Sequence, residues 1–215
     1  MAPSTTTAHH HHAHHPPQTA LLVIDVQNFF TPMTKQALPQ ITTLIHHFRA
    51  QALPVLFTQH GHPASDLAGP PYPNQLVRKW GPAGSIHRGT APWELQPAVQ
   101  ALLEDLETDE REGRRERGWA DVVQKNTYDA FVGTDLEERL RRLEVARVVV
   151  CGVMTDCCCD TTARAAFDRG WETWLVEDAC GSASRKQHEA GLRGFAFAFG
   201  DVVGTGDVLA EVKGE

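Results

Sequence analysis

The sequence predicts an α/β protein in three layers, with helices on both faces of a six-stranded, mainly parallel sheet. Three observations carry this. Short continuous apolar runs such as TALLVIDV and ARVVVCG have the pattern of strands buried on both faces. Segments with helical spacing of apolar residues lie between those runs. Strict alternation of the two makes βαβ units, whose right-handed crossovers put helices on both sides of a parallel sheet.

The elements follow in chain order. Residues 1–18 form a tail expected to be disordered, because six of the twelve histidines fall between His9 and His15 in a Thr-rich, Pro-bounded stretch. The domain is expected over 19–215. TALLVIDV (19–26) is the first strand. Residues 36–51 carry Leu38, Ile41, Ile45 and Phe48 at helical spacing, with Pro39 in the first turn. LPVLFTQ (53–59) is the second strand. Residues 60–92 hold six prolines and five glycines and read as a long functional loop without packed elements.

Residues 93–105 read as partly helical. The run EDLETDEREGRRERG (104–118) shows no apolar face and reads as a solvated insertion. WADVVQK (119–125) is the third strand. Thr134 and Glu137 match a capping box, opening a helix that reaches Leu143. ARVVVCG (146–152) is the fourth strand, with a helix at 157–169 behind it. WETWLVED (171–178) is the fifth strand, followed by a helix at 185–198. A sixth strand at 201–203 and a short helix end the domain.

Composition narrows the function. Twenty basic against twenty-seven acidic residues give a net charge of -7, which offers no basic field for nucleic acid. No apolar stretch reaches the ~20 residues that cross a bilayer, and the N-terminus lacks the apolar core of a signal peptide. Four of the five cysteines crowd into residues 151–159, which is no disulfide framework. A reducing, cytoplasmic setting is therefore expected.

Parallel sheets bind ligands beyond the carboxyl ends of their strands. Asp25 closes the first strand, Lys125 the third, and Cys157, Cys158 and Cys159 follow the fourth through Gly152-Val153-Met154-Thr155-Asp156. An acid, a base and a thiol are thus delivered to one edge of the sheet. A thiol at a helix start is expected to be favoured as thiolate by the helix dipole.

L-V-I-D25-V-Q27-N-F-F, K125-N-T-Y-D-A-F131 and G152-V-M-T155-D156-C-C158-C-D-T-T-A-R-A-A-F167 together resemble the isochorismatase-like cysteine hydrolase family. The segments around Val176 to Ala179 and His188 to Ala190 do so too, and the match covers about residues 19–210. The resemblance implies a Rossmann-like fold, a homo-oligomer and an Asp–Lys–Cys triad. Matching Gly152, Thr155 and Asp156 to the motif makes Asp25, Lys125 and Cys158 the catalytic residues. Cys157 and Cys159, about 100° away around a helix, become packing residues. It also implies a cis peptide between Val153 and Met154, and an oxyanion hole made by the amides of Met154 and Cys158.

The resemblance further implies hydrolysis of a C–N bond in a small amide or ureide through a thioester. Isochorismatases of the family cleave a vinyl ether by acid chemistry on the Asp and need no thiol, so Cys158 favours the amide. The alternatives are isochorismate hydrolysis through Asp25, and a catalytically silent binding protein on the same fold. Gln27, Phe30, His60, Trp80, Tyr128 and Val153 are expected to line a small-molecule pocket. No cofactor is expected. His60, His62 and His87 are weak candidates for zinc, because nicotinamidases of the family place an Asp-x-His metal pair where this chain has His60-Gly-His62.

Overall fold

The structure, a computed structural model, describes residues 18–116 and 118–214. The predicted tail lies outside the described residues except for Gln18, which the structure places in the first strand rather than the tail.

The chain runs β1 (Gln18–Ile24), α1 (Thr31–Thr34), α2 (Leu38–Ala50), β2 (Val55–His60), α3 (Ala64–Leu67), α4 (Gln75–Trp80), α5 (Pro97–Arg111) and β3 (Ala120–Lys125). It continues through α6 (Leu136–Arg142), β4 (Val145–Val153), a π turn over Thr155–Cys159, α7 (Asp160–Asp168), β5 (Glu172–Gly181), α8 (Arg185–Ala198), β6 (Asp201–Val203) and α9 (Thr205–Glu211). The strands form one sheet in the order β3-β2-β1-β4-β5-β6. Every neighbouring pair is parallel, so all carboxyl ends lie on one edge.

Alternation along the strands divides the core in two. Leu21 and Val23 of β1 join Ile41, Phe48, Val99 and Leu106 under α2 and α5, with Val208 of α9. Ala20, Leu22 and Ile24 face the other way, onto Leu136, Leu140, Ala163, Ala166 and Phe195 of α6, α7 and α8. β1 is apolar from Ala20 to Ile24 because both its faces are covered there. The α/β expectation is met.

Three local expectations fail. The charge run 104–118 is not a solvated insertion. α5 extends through it to Arg111, and the spacing Val99, Leu102, Leu103, Leu106 continues to the buried Asp109. Asp109 accepts from Arg49 Nε at 2.7 Å, and a second ion pair joins it to Arg114. Arg115 is buried against the carbonyl of Leu53, and Glu110 accepts the amides of Gly118 and Ala120 where β3 begins. Pairing with Arg49 and Arg114 allows Asp109 to leave water, whereas Arg115 donates to the backbone carbonyls of Arg49 and Leu53.

The capping box at 134–137 does not form either. Thr134 accepts from the Leu136 amide at 3.3 Å, but Glu137 turns to Arg141 and Arg169. Finally, residues 60–92 are not one open loop. They contain α3, α4 and a 3₁₀ turn at Pro82–Gly84, anchored by the buried His62, Val77 and Ile86.

Gly152 holds β4 against β1 as the chain approaches the carboxyl edge. It has φ +115°, and a Cβ there would lie 2.1 Å from the Ile24 carbonyl oxygen. Backbone on both sides cannot yield cheaply. Gly152→Ala is expected to lower stability by about 2–5 kcal/mol, read as a fall in the urea midpoint. An unchanged midpoint would contradict this account of the packing.

Candidate active site

Asp25 stands one residue beyond β1 in the left-handed region, with φ +50°, fully buried. Short polar side chains tolerate this region best, and the conformation turns the carboxylate out of the strand line. Thr58 in β2 fixes it twice. Its hydroxyl donates to Asp25 Oδ1 at 2.6 Å and accepts from the Asp25 amide at 3.1 Å. Lys125, the last residue of β3, puts Nζ 2.6 Å from Asp25 Oδ2 and donates to the Thr127 carbonyl at 3.0 Å. Both side chains of this ion pair are fully buried.

Such a pair costs several kcal/mol of lost hydration per ion and persists when the geometry is close and the spare hydrogen-bonding capacity is used. Burial opposes the Lys125 charge, but Asp25 and Cys158 outweigh it and hold the ammonium above its ordinary range. Lys125 is charged at any ordinary pH. Apart from this ion contact, Oδ2 has no hydrogen-bond partner among the described residues.

Cys158 reaches the same point from β4. The Val153–Met154 peptide is cis, and the π turn follows at once. The Met154 carbonyl accepts the amides of Cys157 at 3.0 Å and Cys159 at 3.1 Å, which binds the turn to the strand end. The buried Cys158 side chain lies close enough to Asp25 and Lys125 for both to act on its thiol. Burial pushes its thiol well above the usual range; Lys125 opposes that shift and Asp25 adds to it. Burial outweighs the favourable charge of Lys125, so the resting side chain is a thiol rather than the thiolate expected at a helix start. Cys159 is a packing residue, fully buried. Cys157 is only half-buried, its thiol raised to about 11 by burial and by Asp156 and Asp160.

The other expected residues divide. Phe30 and Val153 pack with Ile86, Met33, Trp93 and Met154 in a small apolar cluster beside the cis peptide. Trp80, 56% exposed at the end of α4, donates from Nε1 to the Tyr128 hydroxyl at 2.9 Å, and Tyr128 lies near Cys157 and Cys158. His60 ends β2 with Nδ1 buried and without a partner among the described residues. Its pKa is lowered to about 3, first by burial and then by Lys125, so the ring is neutral.

Gln27 is not a pocket wall. It is fully buried, and both its donors are spent on the carbonyls of His60 and Trp93, at 2.9 and 2.6 Å. Its Oε1 accepts the His60 amide at 2.8 Å. It clamps β2 to the segment carrying Trp93. The sequence reading overlooked Thr58, although a lone hydroxyl in the buried run VLFTQH was its signal.

The three zinc candidates do not fit a metal site. His62 Nδ1 is taken by Asp66 Oδ2 at 3.2 Å, while the exposed His87 turns Nε2 to the Pro82 carbonyl at 3.0 Å. Among the described residues no three His, Cys, Asp or Glu side chains converge as a cation site. No helix there is long and apolar enough to cross a membrane.

The chain is similar to known proteins over most of its length. The isochorismatase domain matches residues 19–207. Nicotinamidase 3 of Arabidopsis thaliana is 36% identical over 184 residues, covering 86% of this chain and 83% of the relative. Enterobactin synthase component B of Escherichia coli is 28% identical over 199 residues, 89% of this chain but 62% of that protein. Among solved structures, a cysteine hydrolase from Pseudomonas syringae superposes with TM-score 0.74 at 21% identity, covering 91% of this chain and 92% of that one. The pyrazinamidase/nicotinamidase of Streptococcus mutans gives 0.72 at 26%, covering 86% of this chain and 100% of that one. The match of the domain over nearly the whole described fold makes this chain a hydrolase of the isochorismatase family.

Proposed function

We propose that the protein hydrolyses the C–N bond of a small amide or ureide through a thioester on Cys158. The observation that carries this reading is the meeting of a buried thiol with the Asp25–Lys125 ion pair. A vinyl ether cleaved by acid needs only the carboxyl, whereas a nucleophile needs a base and a cation beside it.

Asp25 takes the Cys158 proton as the thiolate attacks the carbonyl carbon, and Lys125 compensates the charge on sulfur. The amides of Met154 and Cys158 receive the oxyanion; losing one such donor raises a barrier by about 2.7–4 kcal/mol. Asp25 then protonates the departing nitrogen as the C–N bond breaks, leaving the thioester. Water, deprotonated by Asp25, adds to the thioester and releases the acid, and the thiol is restored. The sum is amide plus water giving acid plus amine.

Phe30 and Val153 supply an apolar wall, Trp80 and Tyr128 an aromatic rim, and the neutral His60 a buried Nδ1 to orient a polar substituent. The similarity to Nicotinamidase 3 supports a planar carboxamide as substrate class. The test is ammonia release from a panel of carboxamides, N-carbamoyl compounds and ureides, with isochorismate followed separately by product formation. Ammonia from at least one amide is the expected result. Isochorismate cleavage with no ammonia from any amide would overturn the reading in favour of acid catalysis by Asp25.

A further inference from the structure

A second concavity lies outside the triad. A cavity of about 500 Å³ opens between the α1–α2 segment and the start of α8, and its wall includes Met33, Lys35, Gln36, Ser182, Arg185 and His188. That volume is in the range that holds small metabolites. Its ionisable lining residues are a lysine, an arginine and a histidine, with Cys180 beside them and no carboxylate, on a chain of net charge -7.

His188 is held in a defined state. The Thr155 hydroxyl donates its one proton to the Gly181 carbonyl at 3.0 Å and lies 2.8 Å from His188 Nδ1. With that proton spent, the hydroxyl can only accept from the ring, so Nδ1 carries hydrogen. Nε2, without a partner among the described residues, is then an acceptor in the neutral ring and a donor only in the doubly protonated one. Two carboxylates stand nearby but are engaged. Asp156 accepts from Ser182 and Gln187, and Glu189 pairs with Arg185 at 2.7 Å on the surface. An exposed pair of this kind is worth little and gives way readily to a multiply charged ligand.

We propose that this cavity binds a small phosphate monoester. Lys35 and Arg185 meet a dianionic group, the His188 ring donates from Nε2 when it is doubly protonated, and Met33 and Ala37 accommodate the organic part. Arg185 can meet such a group through two parallel N–H donors. The site touches the catalytic turn at two points. Thr155 begins the turn that carries Cys158, and Met33 packs in the cluster with Phe30, Val153 and Met154. An occupant therefore bears on the amidase geometry by tightening the His188–Thr155–Gly181 chain.

Binding is measured without any substrate, so it stands or falls separately from the proposed hydrolysis. Calorimetry at fixed ionic strength uses inorganic phosphate, glucose 6-phosphate and acetate as probes, on the wild type and on Arg185→Gln and Lys35→Gln, two surface substitutions. Saturable binding of both phosphate probes is expected, weakened at least tenfold by either substitution and unchanged in Cys158→Ala. No saturable phosphate binding would overturn the proposal. So would binding indifferent to both substitutions, which places the anion elsewhere, or acetate binding equal to phosphate, which contradicts the ligand class.

Discussion

Cys158→Ala is expected to remove amide turnover by about 10⁴-fold or more while leaving the fold intact. In the proposed scheme the Cys158 thiol carries the acyl intermediate, and neither buried Cys159 nor half-buried Cys157 shares its place beside Asp25 and Lys125. The exchange removes one buried sulfur and no charge, so the thermal midpoint should move by only a few degrees. Two readouts check the mechanism: steady-state ammonia release, and a mass increase on wild-type Cys158 after rapid quench that is absent from the variant. Appreciable turnover by Cys158→Ala would remove the covalent scheme. Because burial raises the resting thiol, alkylation of Cys158 by iodoacetamide should be slow at neutral pH and accelerate as pH rises.

Lys125→Met should be more damaging still, since it affects both the reaction and the fold. Methionine fills much of the same volume but leaves the Asp25 carboxylate buried without its cation. Breaking one side of a buried pair costs about 3–5 kcal/mol, because the remaining charge is uncompensated. Removing both charges restores much of that loss. Urea denaturation should therefore rank Asp25→Asn/Lys125→Met above Lys125→Met, a strongly non-additive cycle. Equal stability of the two would mean that the ion pair contributes little to the fold. Turnover should fall by about 10³-fold or more in both. His60 offers an independent probe. Its pKa of about 3 is set first by burial and second by Lys125, so Lys125→Met should move its titration upward in an NMR pH series.

Much of this architecture is written locally in the chain. The runs at 19–26 and 146–152 are apolar because both faces are covered, and the helix at 185–198 begins at the Ser184 cap and matches the observed α8. The meeting of Asp25, Lys125 and Cys158 was legible because motif residues sit at strand ends, and in a parallel sheet all such ends share one edge. What was not legible depends on partners distant in sequence. The run 104–118 looks solvated until Arg49, at the end of α2, is placed beside Asp109. Gln27 looks like a ligand contact until the carbonyls of His60 and Trp93 are found around it. Cys158 looks activated until its burial is known. Local pattern gives which elements form; the state of a charge depends on what those elements bring together.

The strand order also governs how the chain can assemble on the ribosome. β1 is central, yet its two neighbours are made at very different times. Leu21 pairs with Val55 on one side and with Val149 on the other. At roughly 5–20 residues per second, the synthesis separating His60 from Val153 takes roughly 5–20 s. Throughout that interval an apolar strand, already paired on one side, has an open edge on the other, which invites pairing with another nascent chain. Yield in a cell should therefore depend on holdase chaperones that shield the first half until the fourth strand emerges.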